Sequence, residues 1–263
     1  MHKTLAIILS LGSLATANTI GYNSMTPEQQ SGVVLAWDFS SGNASSIVGW
    51  SSTPFDMNSS GTAGDISTGT RPWTDQLLTD CPTGDFTLNL DIHSFTGNNW
   101  QAMIALYSPN GKGDNKCLQV GVNTSGDLMV FNEVAKNTGF GSIDTTGDID
   151  TGLDSGMNTT ATLTLVSDMS LTQTLSVYVN GILKGSHANW VAAGEEDKGL
   201  MGIQFGCPFG GGRQFPAAEL SNITLWNRAL STGEISALIV PEPASATLSM
   251  LALTALTARR RRK

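Results

Sequence analysis

The chain has 263 residues, 40% of them hydrophobic and only 14% charged, with a formal net charge of −8. That apolar share supplies a sizeable core and excludes a globally disordered chain. The acidic balance excludes a nucleic-acid binder, which needs a basic face to neutralise phosphates.

The charge is unevenly placed. Five of the 14 basic residues are the last five, Arg259 to Lys263, and Lys3 stands at the other end. From Asn18 to Glu242 the chain keeps eight basic and all 22 acidic residues, a balance of −14. The two ends therefore differ in chemistry from what they enclose.

The first predicted element is an export leader over residues 1–17. His2 and Lys3 form a short basic start, Leu5 to Leu14 an apolar run, and Ala15-Thr16-Ala17 a small-residue cleavage site. Cleavage after Ala17 leaves Asn18 as the new N-terminus.

Residues 18–239 carry the fold. Short alternating segments between turn signals predict an antiparallel β-sandwich. Val33, Leu35, Trp37 and Phe39 share one face at period two, as do Phe86, Leu88, Leu90 and Ile92, with Thr87, Asn89 and Asp91 on the opposite face. Trp100 to Tyr107 is more uniformly apolar, as a covered inner strand is. Leu118 to Val122 and Leu128 to Phe131 flank a hairpin loop, Asn123 to Asp127. Ala161 to Val166 alternates again. Leu175 to Val179 and Ile182 to Lys184 enclose Asn180-Gly181, and Asn-Gly is the strongest two-residue hairpin signal, because both residues tolerate positive φ. Leu200 to Phe205 and Leu220 to Trp226 complete at least eight expected strands. Ser231 to Glu234 has capping-box spacing and predicts a short helix that presses Ile235 and Leu238 onto the sandwich.

Residues 240–263 read as a second address label. Two prolines around Glu242 cannot continue a helix or a sheet ladder, which predicts an extended, reachable piece. Ala244 to Ala258 is uncharged, and its 15 residues fall short of the roughly 20 that span a bilayer comfortably. The basic run after it would stay on the cytoplasmic side. Pro241-Glu242-Pro243, the apolar segment and Arg259, Arg260, Arg261 and Arg262 resemble, in that order, the PEP-CTERM sorting signal of Gram-negative bacteria. The resemblance implies transient transmembrane association and processing near Pro241-Glu242-Pro243 by an exosortase during export. It implies a final place at the cell surface or in the extracellular matrix.

Trp37-Asp38-Phe39, Leu175 to Gly181 (LSVYVNG) and Ile223 to Ile235 (ITLWNRALSTGEI) resemble the laminin-G-like, concanavalin-A-like domains. The resemblance covers roughly residues 30–238 and implies an all-β, antiparallel jelly-roll sandwich with one short C-terminal helical turn. Such sandwiches host lectins, adhesion modules and glycosidases, so the fold alone does not decide activity.

A retaining glycosidase needs two carboxylates about 5 Å apart. The E-x-D-x-x-E strand of the related glucanases does not occur here. Glu195-Glu196-Asp197 reads as a solvated loop, and of the seven Glu only Glu219 falls within a strand. No catalytic residue is assigned, and the chain is expected not to be an enzyme. His93 and His187, with no Cys-x-x-Cys, do not make a zinc pattern. Asp144, Asp148, Asp150 and Asp154 crowd a Gly- and Thr-rich stretch that reads as a loop able to surround calcium. Cys81, Cys117 and Cys207 allow one disulfide with a free thiol, or three buried thiols. Trp37 and Trp226 are expected in the core. Trp73 and Trp190, with polar neighbours, are the candidates for a glycan platform, because sugar rings stack on aromatic faces. The expected function is an exported, non-catalytic glycan-binding or adhesion protein of the surface or exopolysaccharide. The alternatives are an envelope or matrix structural protein and a divergent glycosidase.

Overall fold

A computed structural model describes residues 17–39, 42, 44–49, 54–66, 73–74, 80–97, 101–107, 116–132, 148–157, 159–188, 200, 202–206 and 217–241. One sheet holds β5 (Trp73–Thr74), β7 (Gln101–Tyr107), β8 (Lys116–Val122), β9 (Asp127–Asn132), β10 (Ile149–Asp154) and β14 (Gly202–Phe205), in the order β10-β9-β8-β7-β14-β5. The other holds β3 (Asp56–Met57), β4 (Gly64–Asp65), β6 (Phe86–Phe95), β11 (Ala161–Asp168), β12 (Thr174–Val179), β13 (Ile182–Ala188) and β15 (Ala218–Trp226), in the order β13-β12-β11-β6-β15-β4-β3. β2 (Val33–Trp37) joins it by pairing with β15. The pairings within both sheets are antiparallel, as the alternation predicts.

The main core lies between the sheets. Leu88, Leu90, Leu163, Leu165 and Leu225 face Ile104, Leu106, Leu118, Val120 and Ile203 in one buried cluster. Trp37, Phe39 and Phe55 meet edge to face, with Phe205 against both Trp37 and Phe55 at centroid distances of 5.5 and 5.2 Å. Edge-to-face pairing matches the positive ring edge to the negative ring face.

A third layer covers the outside of the eight-stranded sheet. It is built from both ends of the described chain. The short helix α1 (Pro27–Gln30) opens with a capping box between Thr26 and Gln29, and α2 (Thr232–Leu238) with the predicted one between Ser231 and Glu234. Ile235 and Leu238 are buried with Met25, Trp226 and Leu230 in a second apolar cluster. The Trp226 indole N–H donates to the Gln29 carbonyl at 2.7 Å. β1 (Ala17–Thr19) and β16 (Ile239–Pro241) pair antiparallel as a separate ribbon, with Ala17 opposite Pro241. Under this layer Thr87, Asn89, Asp91, Thr162, Thr164 and Thr224 are 0–1% exposed. The polar face of β6 is thus buried as fully as its apolar face.

One sequence expectation needs correction. Asp150 and Asp154 lie on β10, an edge strand, and not in a loop. The positive φ of Gly152 breaks the alternation there, at the irregularity between Asp150 and Asp154. Pro241 is the last residue of the β1–β16 ribbon, in keeping with a proline that does not continue a ladder. The end of an edge strand tolerates a residue without an N–H.

Candidate functional site

The register sets a row of positions across the six-stranded sheet. Gln204 on β14 stands opposite Trp73 on β5 and Ala105 on β7; Ala105 stands opposite Gln119 on β8, which stands opposite Phe131 on β9. Residues directly opposite in antiparallel strands share a side, which sets Gln204, Ala105, Gln119 and Phe131 on the outer face. The core residues Ile104, Leu106, Leu118, Val120 and Val130 alternate with them on the inner side. The Tyr107 hydroxyl joins the row by donating to Gln204 Oε1 at 2.8 Å.

Gln119 is the unusual member. It is 1% exposed, and among the described residues neither Oε1 nor Nε2 has a hydrogen-bond partner. A buried amide left this way costs about 1–3 kcal/mol for each unmet group. Ala105 and Phe131 are covered like Gln119, at 0% and 4% exposure, while Tyr107 and Gln204 keep partial exposure.

A second row crosses the edge of the eight-stranded sheet. Asp65 on β4 pairs with Asp56 on β3 and with Glu219 on β15. Asn58 Nδ2 donates to Glu219 Oε2 at 3.0 Å. Glu219 does lie in a strand, as the sequence indicates. Its two acidic neighbours were hidden because two-residue strands carry no readable period. His93 sits on β6 with Nε2 at 2.6 Å from Ser221 Oγ and Nδ1 at 3.1 Å from Thr160 Oγ1. The group orienting its ring is a hydroxyl where a nucleophilic triad has a carboxylate.

Residues 60–236 match the family model described as the concanavalin A-like lectin/glucanases superfamily. The chain belongs to this superfamily. No curated protein matches it in sequence. Among solved structures it resembles the binding domain of botulinum neurotoxin DC in complex with SialylT, at 12% identity and TM-score 0.54, over 80% of this chain and 51% of that one. It also resembles the structure described under "Cell entry of botulinum neurotoxin type C is dependent upon interaction with two ganglioside molecules", at 11% identity and TM-score 0.54, over 80% and 51%. The chain spans about half the length of these matches. At such identities the likeness establishes the concanavalin A-like fold alone.

Within this fold the sequence candidates fall as follows. The backbone of Trp73 lies on β5 opposite Gln204, its side chain is outside the described residues, and Trp190 lies outside them altogether. Gln119, Gln204, Tyr107 and Phe131 were missed, since each strand shows only its own alternation and not its neighbour's register. Asp150 accepts the Gly152 N–H at 2.8 Å, and Asp144 lies outside the described residues. Among the described residues no three His, Cys, Asp or Glu converge as metal ligands, Asp148 and Asp150 included. Cys81 is a free, buried thiol, which removes both disulfide pairings that use it. Burial, with Asp80 beside it, pushes that thiol up to about 12. Cys207 and the Cys117 side chain lie outside the described residues. Trp37 and Trp226 are both fully buried, as expected. Of the address labels, the structure describes Ala17 and Pro241; Glu242, Pro243 and Arg259 to Arg262 lie outside. Among the described residues no helix is long and apolar enough to cross a membrane.

Proposed function

We propose that this superfamily member binds glycan chains without transforming them, on the outer face of the six-stranded sheet. The observation that carries the reading is Gln119, a buried amide without partners among the described residues, in a row with the part-exposed Tyr107 and Gln204 and in backbone register with Trp73. Glycan hydroxyls supply the donors and acceptors that such an amide lacks, and aromatic faces take the apolar side of the sugar ring. The row crosses five strands, and four gaps of about 4.8 Å make it about 19 Å long, the scale of an oligosaccharide. The ganglioside named for the neurotoxin structure is in keeping with this reading.

The test is a glycan array probed with the exported protein and with Trp73→Ala and Gln119→Leu variants. Retention of a polysaccharide class that both variants weaken by about tenfold or more is expected, a loss of about 1.4 kcal/mol. Equal retention by all three proteins sinks the reading.

The same proposal includes export. Residues 1–17 act as leader, 18–239 as the binding domain, and 240–263 as a sorting tail handled by an exosortase at the membrane. The pairing of Ala17 with Pro241 supports it, since both processing points then lie at one edge of the domain.

A second reading rests on the row Asp56, Asp65 and Glu219, whose pairing sets carboxyl-bearing residues directly opposite one another. Retaining glycoside hydrolysis uses such closely spaced acids. Release of reducing ends from mixed polysaccharides, abolished by Glu219→Gln, is its expected sign; no release at all rules it out.

A further inference from the structure

Asp91 lies at the centre of β6 with 0% exposure. Its carboxylate is fully engaged. The Thr19 backbone N–H donates to both oxygens, at 3.1 and 3.0 Å, and the Thr19 hydroxyl donates at 3.0 Å. The Thr162 hydroxyl donates at 2.7 Å and Asn222 Nδ2 at 2.8 Å. Asn222 also donates to the Thr19 carbonyl at 3.0 Å and adopts the left-handed φ of 48°. Five hydrogen bonds therefore converge on this carboxyl, three of them from Thr19. Every one of these donors is neutral. Burial pushes the carboxyl above its ordinary range, against the pull of Asn222, Thr162 and Thr19. Among the described residues no cation touches it. On the residue before Thr19 a buried group is unmet: among the described residues Asn18 Oδ1 has no hydrogen-bond partner.

We propose that Asp91 is the docking site for the α-ammonium group created at Asn18 when the leader is removed, so that processing completes the fold. The proposal rests on the export reading above, which puts the cut between Ala17 and Asn18. While the leader is attached, the Asn18 nitrogen is a neutral peptide amide. Signal-peptidase hydrolysis breaks the Ala17–Asn18 C–N bond. Water gives its hydroxyl to the Ala17 carbonyl carbon and a proton to the Asn18 nitrogen. With a pKa of about 7.7–8.0 the new amine takes a second proton at neutral pH. One residue advances the chain by about 3.5 Å, so this nitrogen lies within about 7 Å of the Asp91 carboxylate that Thr19 already touches. Its three N–H bonds rotate freely, where the peptide N–H was fixed, and reach acceptors such as Asn18 Oδ1. At about 7 Å in partly buried surroundings, opposite unit charges favour the folded state by about tenfold or more. β1 pairs with β16, so tightening the new terminus also holds the strand that leads to Pro241.

The test begins with the N-terminal mass of the exported protein. A terminus at Asn18 is expected; a different terminus overturns the export reading and this proposal with it. The chain from Asn18 to Lys263 is then compared with the same chain acetylated on its α-amine, each with Asp91 and with Asp91→Asn. The free amine is expected to raise the folded-to-unfolded ratio about tenfold over the acetylated chain, and the gain to vanish in Asp91→Asn. If Asp91→Asn does not fold, acylation of the α-amine reads the same contact. In the native Asp91 chain it is expected to run several-fold slower than in the urea-unfolded chain. An Asn18 terminus with no gain from the free amine, a gain that persists in Asp91→Asn, or equal acylation rates in native and unfolded chain overturns the docking and leaves the export reading standing.

Discussion

At the scale of the residue, Gln119 and Asp91 make the same physical point from opposite faces of the sandwich. Each is a polar side chain with almost no exposure. Each is costly unless its groups are met. Asp91 is met by five neutral hydrogen bonds, and Gln119, among the described residues, by none. Replacing Gln119 with leucine removes two unmet groups while keeping much of the volume. Urea unfolding is expected to show Gln119→Leu more stable than the native chain by about 1–2 kcal/mol, while its glycan binding falls. A leucine variant less stable than the native chain would show that the amide serves the fold instead.

At the scale of the element, α2 shows how few residues position a layer. Ser231 Oγ accepts the Glu234 N–H at 3.3 Å, and Glu234 Oε2 accepts the Ser231 N–H at 2.8 Å. Arg228 adds an ion pair to Glu234 at 2.6 Å. Partial burial opposes ionisation of Glu234, but the bonds from Ser231 and Arg228 outweigh it and hold the carboxyl below its usual range. Its contribution to stability is present above the unfolded value near 4.5 and is lost as pH falls through the lower folded value. Ser231→Ala removes the cap and is expected to cost about 1 kcal/mol in urea unfolding at neutral pH. The difference between Ser231→Ala and the native chain is expected to shrink as the pH falls below that window. A loss that is constant across pH would deny Glu234 its part in the cap.

The hairpin of β12 and β13 is set by an equally local signal. Asn180 and Gly181 take φ of 52° and 74°, and a Cβ on Gly181 would stand 2.7 Å from Ile239 Cδ1. The turn therefore needs glycine for its backbone and for its closeness to β16. α1 carried a comparable signal, Thr26-Pro27-Glu28-Gln29, that the reading of the sequence passed over.

At the scale of the whole molecule, the two chain ends form one structure. β1 and β16 pair, Ile20 N–H donates to the Leu238 carbonyl at 2.9 Å, and the α1 and α2 segments close over Trp226. A leader and a tail attached at these ends depart side by side. Mass spectrometry of the exported protein is expected to give an N-terminus at Asn18 and a C-terminus near Pro241-Glu242-Pro243. An intact chain carrying both ends would count against the sorting proposal.

The legible part was whatever one strand or one turn specifies alone. Period-two alternation put Leu88, Leu90 and Ile92 on the core side of β6, and the capping box placed α2. β10 was misread because the positive φ of Gly152 and the exposed Asp150 interrupt its pattern. β3, β4 and β5 have two residues each, too few for any period to show.

By itself the sequence determined which residues point inward on each long strand, where the hairpins turn, and where α2 begins, because those choices depend on neighbours within a few positions. Tertiary structure alone decided that Gln204 joins Gln119 in one row, that Asp65 meets Glu219, and that the polar face of β6 is sealed by the chain ends. These depend on register between strands distant in the chain and on which surface a third layer covers. That information resides in the sum of many weak contacts and in no single stretch of sequence.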